Sequence, residues 1–237
     1  MSIRLTADGV GKVRGARKTL RDVSFSLEAG QHLVIFGSNG AGKTTLLRIL
    51  AMLDRPSMGS VAIYDGEAEL DTIEARARIG LVTHAPQLYL DLTAEENLLL
   101  FARLYGAPDA ADRTTELLDA VGLLHRRGDV VRGFSRGMTQ RMAIARALVS
   151  DPDILLLDEV YSGLDPRGAD VVRSLVRRDA ERRIIVEVSH DFDSGYADCT
   201  DVLLLDRGRV SGLFARDSLA PDEMRARYRA LLEGVPA

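Results

Sequence analysis

The run Gly37-Ser38-Asn39-Gly40-Ala41-Gly42-Lys43-Thr44-Thr45 constrains this chain more than any other stretch. It follows an apolar segment, His32 to Phe36, that reads as a buried strand. It leads into Thr45-Leu46-Leu47-Arg48-Ile49-Leu50, which reads as the opening of a helix extending to about Leu53. Glycines at 37, 40 and 42 let the backbone curl so that successive N–H groups aim at one point, a ring that Cβ atoms would crowd. The positive end of the following helix aims at the same place. In that setting Lys43 reaches the β- and γ-phosphates of a nucleotide and the Thr44 hydroxyl is a ligand for Mg²⁺. The bland alternative, a glycine-rich turn with a chance lysine, is disfavoured by the strand–turn–helix context. The pattern G-x-x-x-x-G-K-[ST] thus predicts a nucleoside triphosphate site in an α/β core.

Two further stretches carry candidate chemistry. Ile154 to Leu157 is an apolar strand that delivers Asp158 to its C-terminal end, where ligands sit in open α/β sheets. Asp158 is placed to serve the metal and Glu159 to polarise an attacking water. Phe134-Ser135-Arg136-Gly137-Met138 opens a helix, so a hydroxyl and backbone donors gather there. It reads either as an ordinary N-cap at Ser135 or as a second phosphate-binding surface.

Composition narrows the class. The chain has 237 residues with a net charge of −4, so no strongly basic stripe favours nucleic acid as a partner. The clusters Arg126-Arg127, Arg177-Arg178 and Arg182-Arg183 read as solvated helix surface. One cysteine, Cys199, fits a reducing compartment. The first ten residues lack the apolar centre of a signal peptide, and no apolar run has the ~18–20 residues of a membrane helix. Any membrane step therefore needs another chain.

Residues 3–10 and 20–27 alternate apolar and polar positions and predict antiparallel strands joined by a basic turn from Gly11 to Lys18. Pro56 to Gly59 reads as a turn before a strand at 61–64, and 79–83 as another strand. From Leu92 to Leu148 the pattern is helical, opening on a capping box at Thr93-Ala94-Glu95-Glu96. Strands return at 154–157, 184–188 and 202–205, with a hairpin turn at Asp206-Arg207-Gly208, and the tail from Pro221 is helical.

Together with Ser162-Gly163-Leu164-Asp165 and Val188-Ser189-His190, these motifs resemble the ATP-binding-cassette (ABC) family over nearly the whole chain. The resemblance implies an α/β fold. A P-loop NTPase core with a RecA-like, mostly parallel sheet (1–83 and 151–220) would carry an N-terminal antiparallel β subdomain. A helical subdomain (84–150) would be inserted in it, and a peripheral C-terminal helix (221–237) would close the chain. It implies ATP and Mg²⁺ as cofactors and hydrolysis of ATP by a head-to-tail homodimer in which Ser135 and Gly137 contact the γ-phosphate in trans. Ser162 to Asp165 would be the D-loop and His190 the switch histidine, whose neutral imidazole can donate to a phosphate oxygen. The partner would be a membrane-spanning transporter subunit, met by the insertion around Leu88, Tyr89 and Leu90, which would place the chain at the cytoplasmic face of the membrane.

Departures from the family pattern carry their own expectations. Arg136 and Met138 replace the usual glycine and glutamine of the signature. The Q-loop position, counted back from Thr93, falls on His84, with Gln87 shortly after. Arg14 stands where an adenine-stacking aromatic is expected, and a guanidinium can stack on a base. Val160 replaces a proline and should loosen its turn. His84, the run Leu92 to Leu98, FSRGM and Tyr161 before the D-loop resemble the ATPase subunit of the haem exporter in cytochrome c maturation. Exporters of drugs, lipids or polysaccharides, and soluble cassette ATPases, remain the alternatives.

Overall fold

A computed structural model describes residues 3–233, which divide into two compact units. The first comprises the chain up to Arg76, Leu156–Asp158 and the segment from Ala180 onward; the second comprises Ala77–Leu155 and Glu159–Asp179. The second unit thus takes in more than the 84–150 insertion.

In the first unit, β1 (Ile3–Arg14) and β2 (Arg17–Glu28) form a long hairpin. The basic stretch read as a turn is mostly strand, and the chain reverses at Gly15-Ala16 with Arg14 paired to Arg17. Register shifts between Ala7 and Val13 explain the misreading, because bulges break the two-residue alternation on which a strand is recognised. β4 (Met58–Asp65) pairs with β1, so that Met58 and Gly59, read as turn, begin the strand. The order of this sheet is β2-β1-β4-β5, with β5 at Ala68–Glu69, and the short α2 (Thr72–Ala77) follows.

The other sheet of this unit holds the expected buried strands. β3 (His32–Phe36) lies between β8 (Ile184–Val188) and β9 (Asp201–Asp206), parallel to both. Every residue of β3 and β8 is buried, as a sheet covered on both faces requires. β10 (Arg209–Ala215) closes an antiparallel hairpin on β9 through Arg207 and Gly208, both at positive φ, the geometry of a two-residue turn that matches strand twist. The order runs β10-β9-β3-β8-β7, where the last three residues of β7 (Ile154–Asp158) belong to this unit. α1 (Lys43–Leu50) ends at Leu50, short of the expected Leu53. Arg183, expected in solvent, is buried just ahead of β8.

α7 (Phe192–Asp198) and α8 (Pro221–Glu233) complete the unit. α8 was expected to be peripheral, yet Met224 and Tyr228 are buried in a cluster with Val34, Phe36 and Phe192. Residues 234–237 of that predicted tail lie outside the described residues.

The second unit is mainly helical: α3 (Ala94–Leu104), α4 (Ala110–Ala120), α5 (Arg136–Ala147) and α6 (Pro166–Arg177), with β6 (Ile79–Val82) and the start of β7. The capping box of α3 forms as read: Thr93 Oγ1 accepts from the Glu96 N–H at 3.1 Å, and the Glu96 carboxylate accepts from the Thr93 N–H at 2.8 Å. Asn97, fully buried, braces the loop ahead of it by donating to the carbonyls of Tyr89 and Thr93 and accepting from the Tyr89 N–H. No helix among the described residues is long and apolar enough to cross a membrane.

Candidate nucleotide site

β3 runs straight into the glycine loop, and α1 begins at its end with Lys43. Two glycines are required by contact. A Cβ on Gly37 would lie 2.3 Å from the Leu205 carbonyl oxygen. Gly42 has φ of 111°, and a Cβ there would lie 2.8 Å from the Thr19 carbonyl oxygen. The loop is closed on itself by the Ala41 N–H donating to Ser38 (3.1 Å) and strapped to the β9–β10 turn by the Gly208 N–H donating to Ala41 (2.9 Å).

Lys43 is only 6% exposed. Its ammonium turns back over the loop and donates to the carbonyls of Gly37 (2.7 Å) and Ser38 (3.1 Å). The first turn of α1 contains no acid, so nothing on the helix offsets its positive end. Thr44 is exposed beside Lys43, and Asp158 is buried at the end of β7. A hydroxyl and a carboxylate are hard oxygen donors that suit Mg²⁺, an ion that keeps most of its shell for phosphate and water.

Arg14 is not directed at this loop. It pairs with Asp54 at 2.8 Å, and Arg48 holds the same carboxylate at 3.0 Å. The Arg48 hydrogen bond, with Arg14 and Lys12 nearby, keeps the Asp54 carboxyl below the usual carboxylate range. The side chain that sequence reasoning missed is Arg17. Its guanidinium lies 3.4 Å from the Gly40 carbonyl oxygen, and with Lys18, Arg21 and Arg207 it lines an open groove of about 770 Å³ along Ser38–Ala41. The signal was the tight turn at Gly15-Ala16, which brings Arg17 back toward the loop. His190 follows β8 and is exposed.

The second unit holds the remaining candidates. Glu159, directly after Asp158 in the chain, is half-buried with φ of 55°, a left-handed conformation that costs a non-glycine residue about 1–2 kcal/mol. The turn after it is not loosened by Val160: that side chain is fully buried, and the Ser162 N–H donates to the Glu159 carbonyl at 3.1 Å. Asp165 caps α6, accepting from the Gly168 N–H at 2.9 Å, with Pro166 at the first helical position. Ser135 caps α5 through the Met138 N–H at 3.3 Å. Arg136 donates to the Ser162 hydroxyl at 3.3 Å, and its side chain fills the space a Cβ on Gly163 would occupy. Gly137 packs beside Leu164, so the FSRGM segment and Ser162–Asp165 are brought together. His84 and Gln87 are both exposed, Gln87 with φ of 53°.

This geometry is that of a phosphate-binding ATPase cassette, and comparison with known proteins agrees. The family profile described as "ABC transporter" matches residues 20–162, more than half of the chain. The chain therefore belongs to the ABC transporter family, as one of its ATP-hydrolysing ATP-binding cassettes. It is 38% identical over 210 residues to the ABC transporter ATP-binding protein NatA of Bacillus subtilis, covering 87% of this chain and 85% of the relative. It is 34% identical over 235 residues to the bacitracin transport ATP-binding protein BcrA of Bacillus licheniformis, covering 98% and 75%. A dimeric ATP-binding cassette solved in a post-hydrolysis state with ADP and Pi superposes with a TM-score of 0.81 at 26% identity, covering 91% of this chain and all of that one.

Proposed function

We propose that this chain is the motor subunit of an ABC exporter, working as a head-to-tail homodimer that closes on two ATP molecules. The observation that carries the proposal is the pairing of a buried Asp158 with a Glu159 held in strained left-handed backbone directly after it. Such strain marks positions where side-chain direction matters more than local stability.

The loop N–H groups and Lys43 bind the β- and γ-phosphates, with Lys43 exchanging its bonds to the Gly37 and Ser38 carbonyls for phosphate oxygens. Thr44 and Asp158 would hold Mg²⁺, which when bound would neutralise phosphate charge. Glu159 accepts a proton from the attacking water as it lines up behind the γ-phosphorus. Ser135 and the Gly137 N–H of the partner copy, together with His190, donate to the γ-phosphate oxygens as charge builds. Arg136 couples the signature to the D-loop, and Arg17 supplies positive charge beside the nucleotide in place of Arg14. The test is Glu159→Gln in the full chain. Turnover should fall at least ~100-fold while an ATP-bound dimer accumulates on size exclusion; unchanged turnover removes Glu159 from the base role.

Tyr89 and Leu90, 54% and 47% exposed ahead of α3, are the docking surface offered to the membrane subunit, with Leu88 half-buried behind them. That contact would hold the chain at the cytoplasmic membrane face. His84 or Gln87 would sense the γ-phosphate from the same loop. For the cargo, haem export rests on motif resemblance alone, whereas BcrA is named for bacitracin transport. An antibiotic-like cargo is the reading we favour. Co-purification of the membrane partner and transport of bacitracin against haem in vesicles would decide between them.

A further inference from the structure

We propose that α8 is a clamp that sets the switch loop against the phosphate loop, with Tyr228 as a positioning residue for His190. The proposal rests on His190 acting at the γ-phosphate, as above. Three positions of α8, Met224, Arg225 and Tyr228, make the clamp. Met224 is fully buried against the β3 cluster. Arg225 grips the Asp193 carboxylate with both terminal guanidinium nitrogens, one of them at 3.0 Å, while its charge lies 4.8 Å over the Phe192 ring. The Tyr228 ring closes a triangle with two others, 4.9 Å from Phe36 and 5.9 Å from Phe192, which themselves stack at 5.3 Å.

The two ring partners make this arrangement functional. Phe36 is the residue immediately before Gly37, so it launches the phosphate loop; Phe192 lies two residues after His190. One buried tyrosine therefore touches both the segment that receives the phosphates and the segment that carries the switch histidine. Its hydroxyl also reaches toward the His190 carbonyl oxygen, donating over 3.3 Å. The length of that bond makes the ring the main element and the hydroxyl a minor one.

The His190 side chain is exposed, and the Ser189 hydroxyl donates across it to the Asp191 carbonyl at 2.9 Å. The Ser189 N–H meets the Ile35 carbonyl at a long 3.4 Å, and Asp191 caps the short α7. The phosphate loop has its own straps at Ser38 and Gly208, whereas Tyr228 bonds to His190 itself. Loss of the Tyr228 ring should therefore disturb the histidine more than nucleotide binding.

Steady-state ATP hydrolysis by the full chain tests this. Tyr228→Ala should lower kcat at least 10-fold and leave KM for ATP within 3-fold. Tyr228→Phe, which keeps the ring, should recover kcat to within 3-fold of the unsubstituted chain. In a His190→Ala background, Tyr228→Ala should add little further loss, because both act through one group. A Tyr228→Ala kcat within 2-fold of the unsubstituted chain overturns the clamp, as does an equal loss with and without His190. If Tyr228→Ala loses its cooperative melt, the surface substitution Arg225→Ala carries the test: a ~3-fold lower kcat at unchanged KM supports the clamp, and an unchanged kcat overturns it. Full turnover by His190→Ala would instead sink the role given to His190, and the clamp with it. Loss in His190→Ala but not in Tyr228→Ala sinks the clamp alone.

Discussion

The phosphate loop and the FSRGM segment both lie at helix N-termini, yet they are built in opposite ways. The first is enclosed. Gly37 and Gly42 are buried against strand and hairpin backbone, Lys43 is nearly out of solvent, and its ammonium is satisfied by the loop's own carbonyls. The second is displayed. Ser135 and Arg136 are exposed, and a Cβ on Gly137 would meet only Leu164 at 3.7 Å. An enclosed cradle binds its ligand unaided, whereas a displayed helix start has only one wall of a site and works when another surface supplies the rest. That asymmetry matches the pairing of two copies proposed above.

The sharpest way to break this contrast is Lys43→Ala. Removing the ammonium should weaken ATP binding about 100-fold, or ~2.7 kcal/mol, by calorimetric titration. Ser135→Ala should leave affinity within about 2-fold and act only on turnover. Near-normal ATP affinity in Lys43→Ala would erase the distinction. Next, Gly42→Ala forces a Cβ to 2.8 Å from backbone at a φ of 111°, and should cost about 2–3 kcal/mol in denaturant unfolding. Gly137→Ala should stay within about 0.5 kcal/mol of the unsubstituted chain. Asp165→Ala, which removes the α6 cap, should cost about 1 kcal/mol in the same assay. A comparable, modest effect is expected at the groove: Arg17→Ala should weaken ATP binding by about 3- to 10-fold and Arg14→Ala by less than about 2-fold, and the reverse order would make Arg14 the base contact.

The enclosed region was legible in the sequence because its chemistry is local. Strand, glycines, lysine and helix follow one another, and the capping box at Thr93 is likewise a local signal. Periodicity makes the turn of the β1–β2 hairpin look too wide because bulges disturb it, and the return of Arg17 toward the phosphate loop is hidden with it. α6 does leave a trace, an Asp-Pro pair at 165–166 that reads as N-cap followed by first turn. The burial of α8 had no such trace. Its charged composition describes the outer face, while Met224 and Tyr228 are committed by contacts with residues almost two hundred positions earlier. Cys199 shows the same limit: its place in the sequence says nothing of the burial that pushes its thiol up to about 12.

The strap from Gly208 to Ala41 has a consequence for how the protein is made. The cradle at Gly37–Lys43 is completed by the hairpin turn at Arg207-Gly208, so a ribosome must release the chain through that turn before the pocket takes its shape. Nascent chains stalled ahead of Gly208 should retain no labelled nucleotide, and chains stalled beyond the β10 hairpin should begin to retain it. Fuel is thereby withheld from an unfinished engine.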